Sequence, residues 1–558
     1  MDREIELAAQ SGAALVVQTL ETQGVTHIFG VPGGKIDTVF NALADSKIET
    51  VVCRHEQNAA FIAGGIGRMT GKAGVAIATS GPGVSNLTTG LSTAYSEGDP
   101  VVALGGAVSV AESLKHVHQT MDAVSIMRPV TKYSASVGSP DQVSEVLANA
   151  FRAAESGRPG AAYVNLPQDV MMARCQHAPL RPPAFAGPGP ADAKAIEEAA
   201  RLIRVAAAPV VLLGMQASRP ACEGALREFL GKNHLPVVGT FQAAGAVGAM
   251  LFENFGGRVG QIANQPADAL LHSADLVITV GYDPVEYWPP LWNGDSPRAI
   301  IHIDVLPATL DNCYRPSVEL TGDIAQTLAA LTQHVQRARM AAPSREILEE
   351  IATQRRLFAE RAKAHGGTPI HPLRLICELR PFVGGDTTVC LDMGSFHLWI
   401  AHHLHSFRPR QVLISNGQQT LGVALPWAIA ASIVRPAEKI LSISGDGGFL
   451  FSSMELETAV RRQAHIVHMV WVDGSYDMVG TQEKLKYGRT SGVDFGPIDY
   501  VKYADSFGAT GFMIHEPDEI GPVMTRAFET PGPVIVGVPV DYRDNHALFE
   551  LVHRDAIH

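Results

Sequence analysis

The chain has 558 residues, several times more than one ordinary core supports, so two to four domains are expected. Its formal net charge of −12, without a long Lys/Arg cluster, argues against a nucleic-acid or anionic-membrane surface. Six cysteines without C-x-x-C spacing, a polar N-terminus and no apolar run of about 20 residues indicate a reduced, cytoplasmic protein without a membrane segment. Small-molecule chemistry is the function class that remains.

Short apolar runs alternate with amphipathic, helix-like runs along the whole chain. The strand-like runs are "AGVAIATS" and "PVVALGG", then "PVVLLG" and "ADLVITVG", then "KILSIS" and "HIVHMVWV". This alternation is typical of parallel α/β sheets, which bind ligands outside the carboxyl ends of their strands. We therefore predict an α/β protein whose domains each contain a mainly parallel sheet flanked by helices.

Two changes in composition divide the chain. Residues 179–192, "PLRPPAFAGPGPAD", form a Pro/Gly-rich linker, and the charged helical stretch at residues 344–369 leads into a second boundary. The sequence thus predicts three domains, at residues 1–180, 190–340 and 370–550.

The first segment contains one acid and two glycine-rich turns that stand out. "VVCRHEQNAAF" places Glu56 just after a strand and at the start of a helix, where an acid can also simply complement the helix N-terminus. The turns "FGVPGGKID" (29–37) and "TSGPGVSN" (79–86) are, taken singly, compatible with ordinary tight loops.

The third segment contains a histidine cluster, "AHHLH", formed by His402, His403 and His405. Along a helix this spacing gives no facing tetrahedral set of metal ligands. We interpret the cluster as a surface or interface feature.

The stretch "KILSISGDGGFLF" places Asp446 among glycines directly after a strand, and a helix, the strand "HIVHMVWV" and Asp473 follow. A right-handed βαβ unit makes the two strands parallel, so both acids emerge at one sheet edge. Two carboxylates there suit Mg²⁺, while the glycines let backbone N–H groups approach a phosphate. Taken alone, the motif favours an ordinary turn with a helix-capping aspartate.

The separation of 27 positions between Asp446 and Asp473 resembles the "GDG"…"NN" signature of thiamine-diphosphate enzymes, and the whole chain resembles the acetolactate synthase family. The resemblance implies pyrimidine-binding, central and diphosphate-binding domains. It also implies that Asp446, Asp473 and the carbonyl of Ser475 hold Mg²⁺. Asp473 and Gly474 stand where "NN" is common, and the added charge should make metal binding more pH-sensitive.

The same resemblance assigns Glu56 as the catalytic glutamate, which promotes the imino tautomer of the cofactor's pyrimidine. It places Leu421, otherwise an ordinary core residue, in the bend of the cofactor, and the Gln419 carbonyl at the pyrimidine amino group. Further implied catalytic positions are Gly33, Lys35 and Gln119. Further implied cofactor-binding positions are Pro32, Thr79, Gly83, Asn86, Ser395, His397, Gly445, Gly447, Gly448, Ser475, Tyr476 and Met478. Implied substrate positions are Gln119, Met478, Val479 and Gln482.

Two departures distinguish branches of the family. Biosynthetic members carry FAD and a motif like "RFDDRVTG", where this chain has "YDPVEYWP" at residues 282–289. They also carry a tryptophan that favours 2-ketobutyrate, at the position of Gln482. The implied function is condensation of two pyruvate to 2-acetolactate and CO2, through a hydroxyethyl-thiamine-diphosphate intermediate, by the catabolic, FAD-independent type that serves acetoin or butanediol formation.

One cofactor must join residues of the first and third domains, and in the family this bridge runs between subunits. The resemblance therefore implies a homodimer at minimum, with a tetramer common. The alternatives are an FAD-containing biosynthetic acetohydroxyacid synthase, a pyruvate oxidase or other 2-oxoacid decarboxylase, a catalytically silent cofactor-binding homologue, and a plain nucleotide-binding α/β protein.

Overall fold

The structure is a computed structural model, which describes residues 10–182, 187–262, 265–294, 298–335 and 340–549. Part of the predicted linker, residues 183–186, and the outer ends of the first and third predicted domains lie outside the described residues. Contacts divide the chain into two compact units, one of residues 1–186, 425–437 and 452–464, the other of residues 187–424, 438–451 and 465–558. Among the described residues, no helix combines the length and apolar character needed to cross a membrane.

The first stretch folds around a six-stranded parallel sheet of order β3-β2-β4-β5-β7-β6, and β1 and β8 form a separate antiparallel pair. All five residues of β4 are buried, as expected for a strand covered by helices on both faces. The elements are β1 (Gln10–Ser11), α1 (Gly12–Thr22), β2 (His27–Val31), α2 (Asp37–Leu43), β3 (Glu49–Val52), α3 (Glu56–Thr70), β4 (Gly74–Ala78), α4 (Pro82–Glu97), β5 (Val101–Ala107), α5 (Ala123–Met127), β6 (Tyr133–Ser136), α6 (Val143–Glu155), β7 (Ala161–Pro167), α7 (Gln168–Met172) and β8 (Arg174–Cys175).

The central stretch forms a second six-stranded parallel sheet of order β11-β10-β9-β12-β13-β14. Chain order reverses between β9 and β12, the point at which doubly wound sheets open a ligand crevice. The elements are α8 (Ala193–Val205), β9 (Pro209–Leu213), α9 (Glu223–Asn233), β10 (Val237–Thr240), β11 (Phe255–Val259), α10 (Asp268–Ser273), β12 (Leu276–Val280), α11 (Pro290–Asn293), β13 (Ala299–Asp304), β14 (Val318–Thr321) and α12 (Ile324–His334).

The third stretch forms a parallel sheet of order β16-β15-β17-β18-β20-β19. Its elements are α13 (Ala342–Lys363), α14 (Pro372–Leu379), β15 (Thr387–Leu391), α15 (Ser395–His403), β16 (Val412–Leu413), α16 (Ala424–Val434), β17 (Lys439–Gly445), α17 (Asp446–Leu450), α18 (Leu456–Arg461), β18 (Val467–Val472), α19 (Asp477–Tyr487), α20 (Tyr500–Ser506), β19 (Thr510–Met513), α21 (Ile520–Glu529), β20 (Val534–Pro539) and α22 (Asn545–Phe549).

The predicted fold class is confirmed, because each stretch contains a parallel sheet flanked by helices. Strands β17 and β18 are hydrogen-bonded parallel neighbours, as the βαβ prediction requires. Two segments of the third stretch of the chain, residues 425–437 and 452–464, belong to the first compact unit. The three domain boundaries stay a prediction.

Candidate active site

Two carboxylates meet at the carboxyl edge of the third sheet. Asp446 is the first residue of α17, directly after β17, and Asp473 directly follows β18. Asp446 Oδ2 accepts hydrogen bonds from the backbone N–H groups of Asp473 at 3.1 Å and Gly474 at 2.7 Å, and Oδ1 accepts one from Gly447 at 2.9 Å. The Asp446 side chain thus fixes the turn that carries Asp473, and the parallel pairing of the strands brings both acids together.

The acids at this edge repel one another. Burial, and then the charges of Asp446 and Asp477, raise the pKa of Asp473 to about 8. Burial also raises the pKa of Asp446, although backbone N–H groups oppose that shift. Asp477 is held in place by Ser395, whose Oγ donates to Asp477 Oδ2 at 2.5 Å, and by the Asn545 side-chain amide. A divalent cation would relieve this repulsion, and hard carboxylate oxygens are the ligands Mg²⁺ prefers.

A cavity of about 190 Å³ opens beside the two aspartates. Gln419 lies on its wall with φ of 50°, a left-handed conformation uncommon outside glycine and often found at functional sites. Most of the site residues predicted in the third segment of the sequence line the same cavity: Ser395, Gln419, Leu421, Gly445, Asp446, Gly447, Gly448, Asp473, Ser475, Tyr476, Met478 and Val479.

The glycines after Asp446 leave room that a side chain would fill. A Cβ on Gly447 would lie 2.5 Å from Tyr476 Cε1, and one on Gly448 would lie 3.2 Å from the Asp392 carboxylate. Only glycine therefore lets the start of α17 approach its neighbours this closely. Together with the acid pair, this glycine-lined cavity fits a diphosphate held through Mg²⁺.

Two predicted residues of the third segment, His397 and Gln482, do not line the cavity. The His397 ring is fully buried and packs edge-on against Phe241, with 5.4 Å between ring centroids. Gln482 lies on α19, one turn after Met478, and is not part of the wall. A diphosphate contact through the His397 ring is thus not supported by its position.

Glu56 begins α3 in the first unit and is 9% exposed. Its Oε2 accepts a hydrogen bond from Asn86 Nδ2 at 2.9 Å. A Cβ on Gly83 would lie 3.2 Å from Glu56 Oε1 and 3.1 Å from Thr79 Cγ2, so the turn "TSGPG" approaches the carboxylate closely because it carries glycine there. Glu56, Thr79, Gly83 and Asn86 therefore form one cluster.

Two further loops contact this cluster. The loop that carries Gly33 and Lys35 contacts Thr79, and the loop that carries Gln119 contacts Ser80. Thr79 Oγ1 accepts from the Lys35 backbone N–H at 3.3 Å, and a Cβ on Gly33 would lie 2.6 Å from Thr79 Cβ. The Lys35 ammonium donates to Gln168 Oε1 at 3.2 Å, and Pro32 is exposed in the same loop.

Gln119 lies beside this cluster and has a left-handed backbone conformation, with φ of 62°. Its Oε1 accepts from Ser80 Oγ at 3.1 Å, and both residues line a cavity of about 160 Å³ at the carboxyl edge of β5, β6 and β7. The predicted positions of the first unit thus surround one sheet edge.

Glu455 anchors the loop that carries Glu56, and sequence reasoning missed it. Its buried Oε1 accepts from the backbone N–H groups of Arg54 at 2.9 Å and His55 at 3.1 Å, and from Asn58 Nδ2 at 3.2 Å. Its Oε2 accepts from Thr458 Oγ1 at 2.7 Å. Burial raises the pKa of Glu455. Because Glu455 is about 400 positions from the loop, no local pattern reveals this contact.

Asp392 was also missed, although it follows strand β15 as Asp446 follows β17. Its buried carboxylate accepts from the N–H groups of Met393 at 2.8 Å and Gly422 at 2.9 Å, which fixes the loop bearing Leu421. Burial raises the pKa of Asp392 to about 7. The position of an acid directly after a strand, as for Asp446 and Asp473, was the sequence signal that could have identified Asp392.

The three histidines of the cluster line a cavity. His402, His403 and His405 are each partly buried on the wall of a cavity in the second unit, and their interpretation as a surface or interface feature stays a prediction. Burial lowers the pKa of His402 to about 4 and that of His403 to about 3, so both rings are neutral near pH 7.

Three family models match the chain along its length. Residues 10–126 match "Thiamine pyrophosphate enzyme, N-terminal TPP binding domain", residues 196–331 match the central domain, and residues 392–538 match the C-terminal TPP binding domain. Thiamine pyrophosphate is another name for thiamine diphosphate.

Curated relatives match nearly end to end. "Acetolactate synthase, catabolic" from Raoultella terrigena is 50% identical over 98% of both chains. "Acetolactate synthase" from Bacillus subtilis (strain 168) is 49% identical over 97% of this chain and 95% of its own. "Acetolactate synthase isozyme 2 large subunit" from Escherichia coli (strain K12) is 32% identical over 96% of each. The chain belongs to the acetolactate synthase family of thiamine-diphosphate enzymes.

Proposed function

We propose that this protein is a catabolic acetolactate synthase, which condenses two pyruvate molecules to 2-acetolactate and releases CO2. The observation that carries the proposal is the 50% identity over 98% of both chains to an enzyme named as the catabolic type, against 32% for the isozyme 2 large subunit. The product would feed acetoin or butanediol formation.

Asp446, Asp473 and the Ser475 carbonyl would hold Mg²⁺, and the glycines at the start of α17 would receive the diphosphate. The support is the repulsion between the two acids and the glycine-lined cavity beside them. When bound, thiamine diphosphate supplies an electron sink for decarboxylation of a 2-oxoacid. The protein contributes binding, orientation and a site from which water is excluded.

Glu56 would exchange a proton with the cofactor's pyrimidine through Oε1. Asn86 engages Oε2, so Oε1 is the carboxylate oxygen left to face the Gly83 turn. A carboxyl whose second oxygen is fixed by a hydrogen bond keeps one orientation, which proton transfer to a positioned group requires.

Leu421, Met478 and Val479 give one side of the diphosphate cavity an apolar surface. Such a surface would exclude water from the reaction that thiamine diphosphate supplies when it is bound. In the first unit, the side-chain amide of Gln119 would orient the substrate, and Lys35 lies in the adjoining loop.

A buried carboxyl group at the central sheet supports the proposal that the enzyme works without FAD. At the crevice between β9 and β12, buried Glu286 accepts hydrogen bonds from the backbone N–H groups of Met215 at 2.8 Å and Asp283 at 3.1 Å, and from Thr240 Oγ1 at 2.6 Å. Dinucleotide phosphates use such backbone donors in doubly wound sheets. Here a carboxyl group, whose pKa burial raises to about 8, already occupies them.

The active unit would be a homodimer at minimum, and a tetramer fits the same scheme. Glu56 lies in one compact unit and the aspartate pair in the other, while the cofactor needs both. By the family resemblance, the two parts would come from different subunits.

All six cysteines are free thiols, which supports a reducing, cytoplasmic setting.

The test is reconstitution. Protein stripped of metal and cofactor with EDTA should form acetolactate from pyruvate only when thiamine diphosphate and Mg²⁺ are both returned, without FAD. Acid converts acetolactate to acetoin, which a colour reaction quantifies. Failure to form acetolactate under these conditions would contradict the proposal, and a requirement for FAD would return the chain to the biosynthetic type.

A further inference from the structure

A cavity of about 550 Å³ lies in the second unit, away from the residues assigned to the reaction. Its wall is formed by β11 of the central sheet, the linking helix α13, and α14 and α15 of the third stretch. Four arginines and three histidines line it: Arg258, Arg355, Arg361, Arg380, His402, His403 and His405.

Two of the arginines bind the C-terminal end of α15. Arg258 donates to the carbonyls of Ala401 at 3.0 Å and Leu404 at 2.9 Å. Arg380 donates to the His403 carbonyl at 2.7 Å and stacks over Phe358 at 3.8 Å. Capping a helix C-terminus explains these two cations in part, because the helix end carries a partial negative charge.

Arg355 has no such explanation. Its guanidinium lies over the Phe252 ring at 4.4 Å and within 5.6 Å of the Phe255 ring centroid. No hydrogen bond or ion pair to it is found among residues 10–182, 187–262, 265–294, 298–335 and 340–549. Burial lowers the pKa of Arg355 to about 10, with no acid opposing the shift.

Acids that could compensate these cations are nearly absent from the part of the cavity wall that the structure describes. The only carboxylate on its described wall is that of Glu350, which is exposed. Burial, and then the charge of Arg355, lower the pKa of Arg258 to about 10. Desolvated guanidinium groups without a carboxylate are costly to a folded protein, and a bound anion would offset that cost.

The backbone beside Arg355 is also unusual. The pairing register between β10 and β11 shifts at Gly256, which leaves a bulge in the edge strand. Gly257 follows with φ of 130°, and a Cβ there would lie 3.9 Å from Arg355 Nη2. Bulges of this kind redirect the chain next to ligand sites and open the strand toward them.

We propose that this cavity binds a small, multiply charged oxyanion, either a phosphate ester or a polycarboxylate, with Arg355 as its principal contact. A guanidinium group can donate two parallel hydrogen bonds to a phosphate or to a carboxylate. The neutral histidines can add further N–H donors. The volume exceeds that of a bare phosphate, so a metabolite-sized ligand fits. The site is separate from the diphosphate cavity and does not depend on the proposed reaction.

The test uses the full chain saturated with thiamine diphosphate and Mg²⁺, so that the cofactor site cannot take up the probe. Inorganic phosphate, fructose 1,6-bisphosphate and tricarballylate are titrated by calorimetry, and unfolding temperatures are recorded with each. Arg355→Met removes the charge while keeping an apolar stem over Phe252. Arg356→Met is the matched control, because Arg356 is exposed on the same helix, bonds to Thr353, and does not line the cavity.

We expect at least one probe to bind the wild type and the Arg356 variant alike, and to bind Arg355→Met about 10–100-fold more weakly, the range for a charged hydrogen bond. Preference for the bisphosphate over tricarballylate identifies a phosphate ester, and the reverse identifies a polycarboxylate. Absence of binding by all three probes, or equal loss in both variants, would overturn the proposal. Acetolactate formation, measured alongside, reports separately on the proposed function.

Discussion

At the scale of single residues, the chemistry depends on which carboxylate oxygen is available. Glu56 presents Oε1 because Asn86 engages Oε2. Glu56→Gln preserves the size of the side chain but cannot take up or return a proton. We expect at least about a hundredfold loss in turnover, the lower range for general acid–base groups, with thiamine diphosphate still bound. Steady-state kinetics and cofactor titration measure both, and turnover near the wild-type value would contradict the role of Glu56.

Asp473 should give the proposed metal site a pH dependence. Burial and neighbouring acids raise the pKa of Asp473 to about 8, so below that pH the carboxyl group would hold a proton that Mg²⁺ must displace. We expect Mg²⁺ affinity to rise with pH, by up to about tenfold per pH unit, and to level off above the pKa of Asp473. Asp473→Asn, which restores the residue common in the family, should flatten this slope.

Calorimetric titration of Mg²⁺ at a series of pH values, with thiamine diphosphate present, measures the slope. The Asn variant is the control, since it keeps an oxygen ligand and removes the titrating group. Equal slopes in the two proteins would remove Asp473 from the metal site.

At the scale of elements, one buried side chain positions the loop before α3. Glu455→Ala would leave the partly buried N–H groups of Arg54 and His55 without their acceptor, which should cost less than the roughly 1–3 kcal/mol that a fully buried donor loses. We expect lower stability and a fall in turnover as Glu56 loses its fixed position. Glu455→Gln keeps one acceptor oxygen and should recover part of both.

Turnover, cofactor affinity and the free energy of unfolding separate this role from a purely structural one. The prediction requires that turnover falls while cofactor affinity changes little, and that the Gln variant lies between wild type and Ala. An Ala variant with unchanged turnover would show that the loop holds its position without Glu455.

Helix α19 presents Met478 and Val479 to the cavity, and Gln482 lies four and three positions after them, on the same helix face. Without a broad indole at this position, the extra methyl group of 2-ketobutyrate has less to pack against. Gln482→Trp should shift acceptor choice toward 2-ketobutyrate, within roughly 10–200-fold for one methylene. A mixed-substrate assay measures the ratio of products, and an unchanged ratio would place Gln482 outside the acceptor pocket.

The sequence predicted elements well where the signal was local. The run "KILSIS" became β17 and the charged stretch at residues 344–369 contains most of α13, because apolar periodicity is set by neighbours in the chain. Glu455 and Asp392 escaped prediction because their partners are distant backbone groups. His397 was placed by motif alone, and its burial against Phe241 follows from packing that a motif does not encode.

At the scale of the whole molecule, three similar sheets serve different purposes. The first and third present acids and glycine turns at their carboxyl edges, while the crevice of the central sheet is occupied by Glu286. The division of the chain into two units, with residues 425–437 and 452–464 joining the first, was not foreseeable from composition. From the sequence, those segments would be assigned to helices of the third domain. Their place in the first unit follows only from long-range packing.

The stoichiometry of the products tests whether the protein condenses pyruvate without a flavin. Purified protein with thiamine diphosphate, Mg²⁺ and pyruvate, without added FAD, is followed by proton NMR and CO2 release, and its visible spectrum is recorded. We expect a colourless protein that consumes two pyruvate for each acetolactate and each CO2 formed. Acetaldehyde or acetate as the main product, or a yellow protein that loses activity when its flavin is removed, would contradict this expectation.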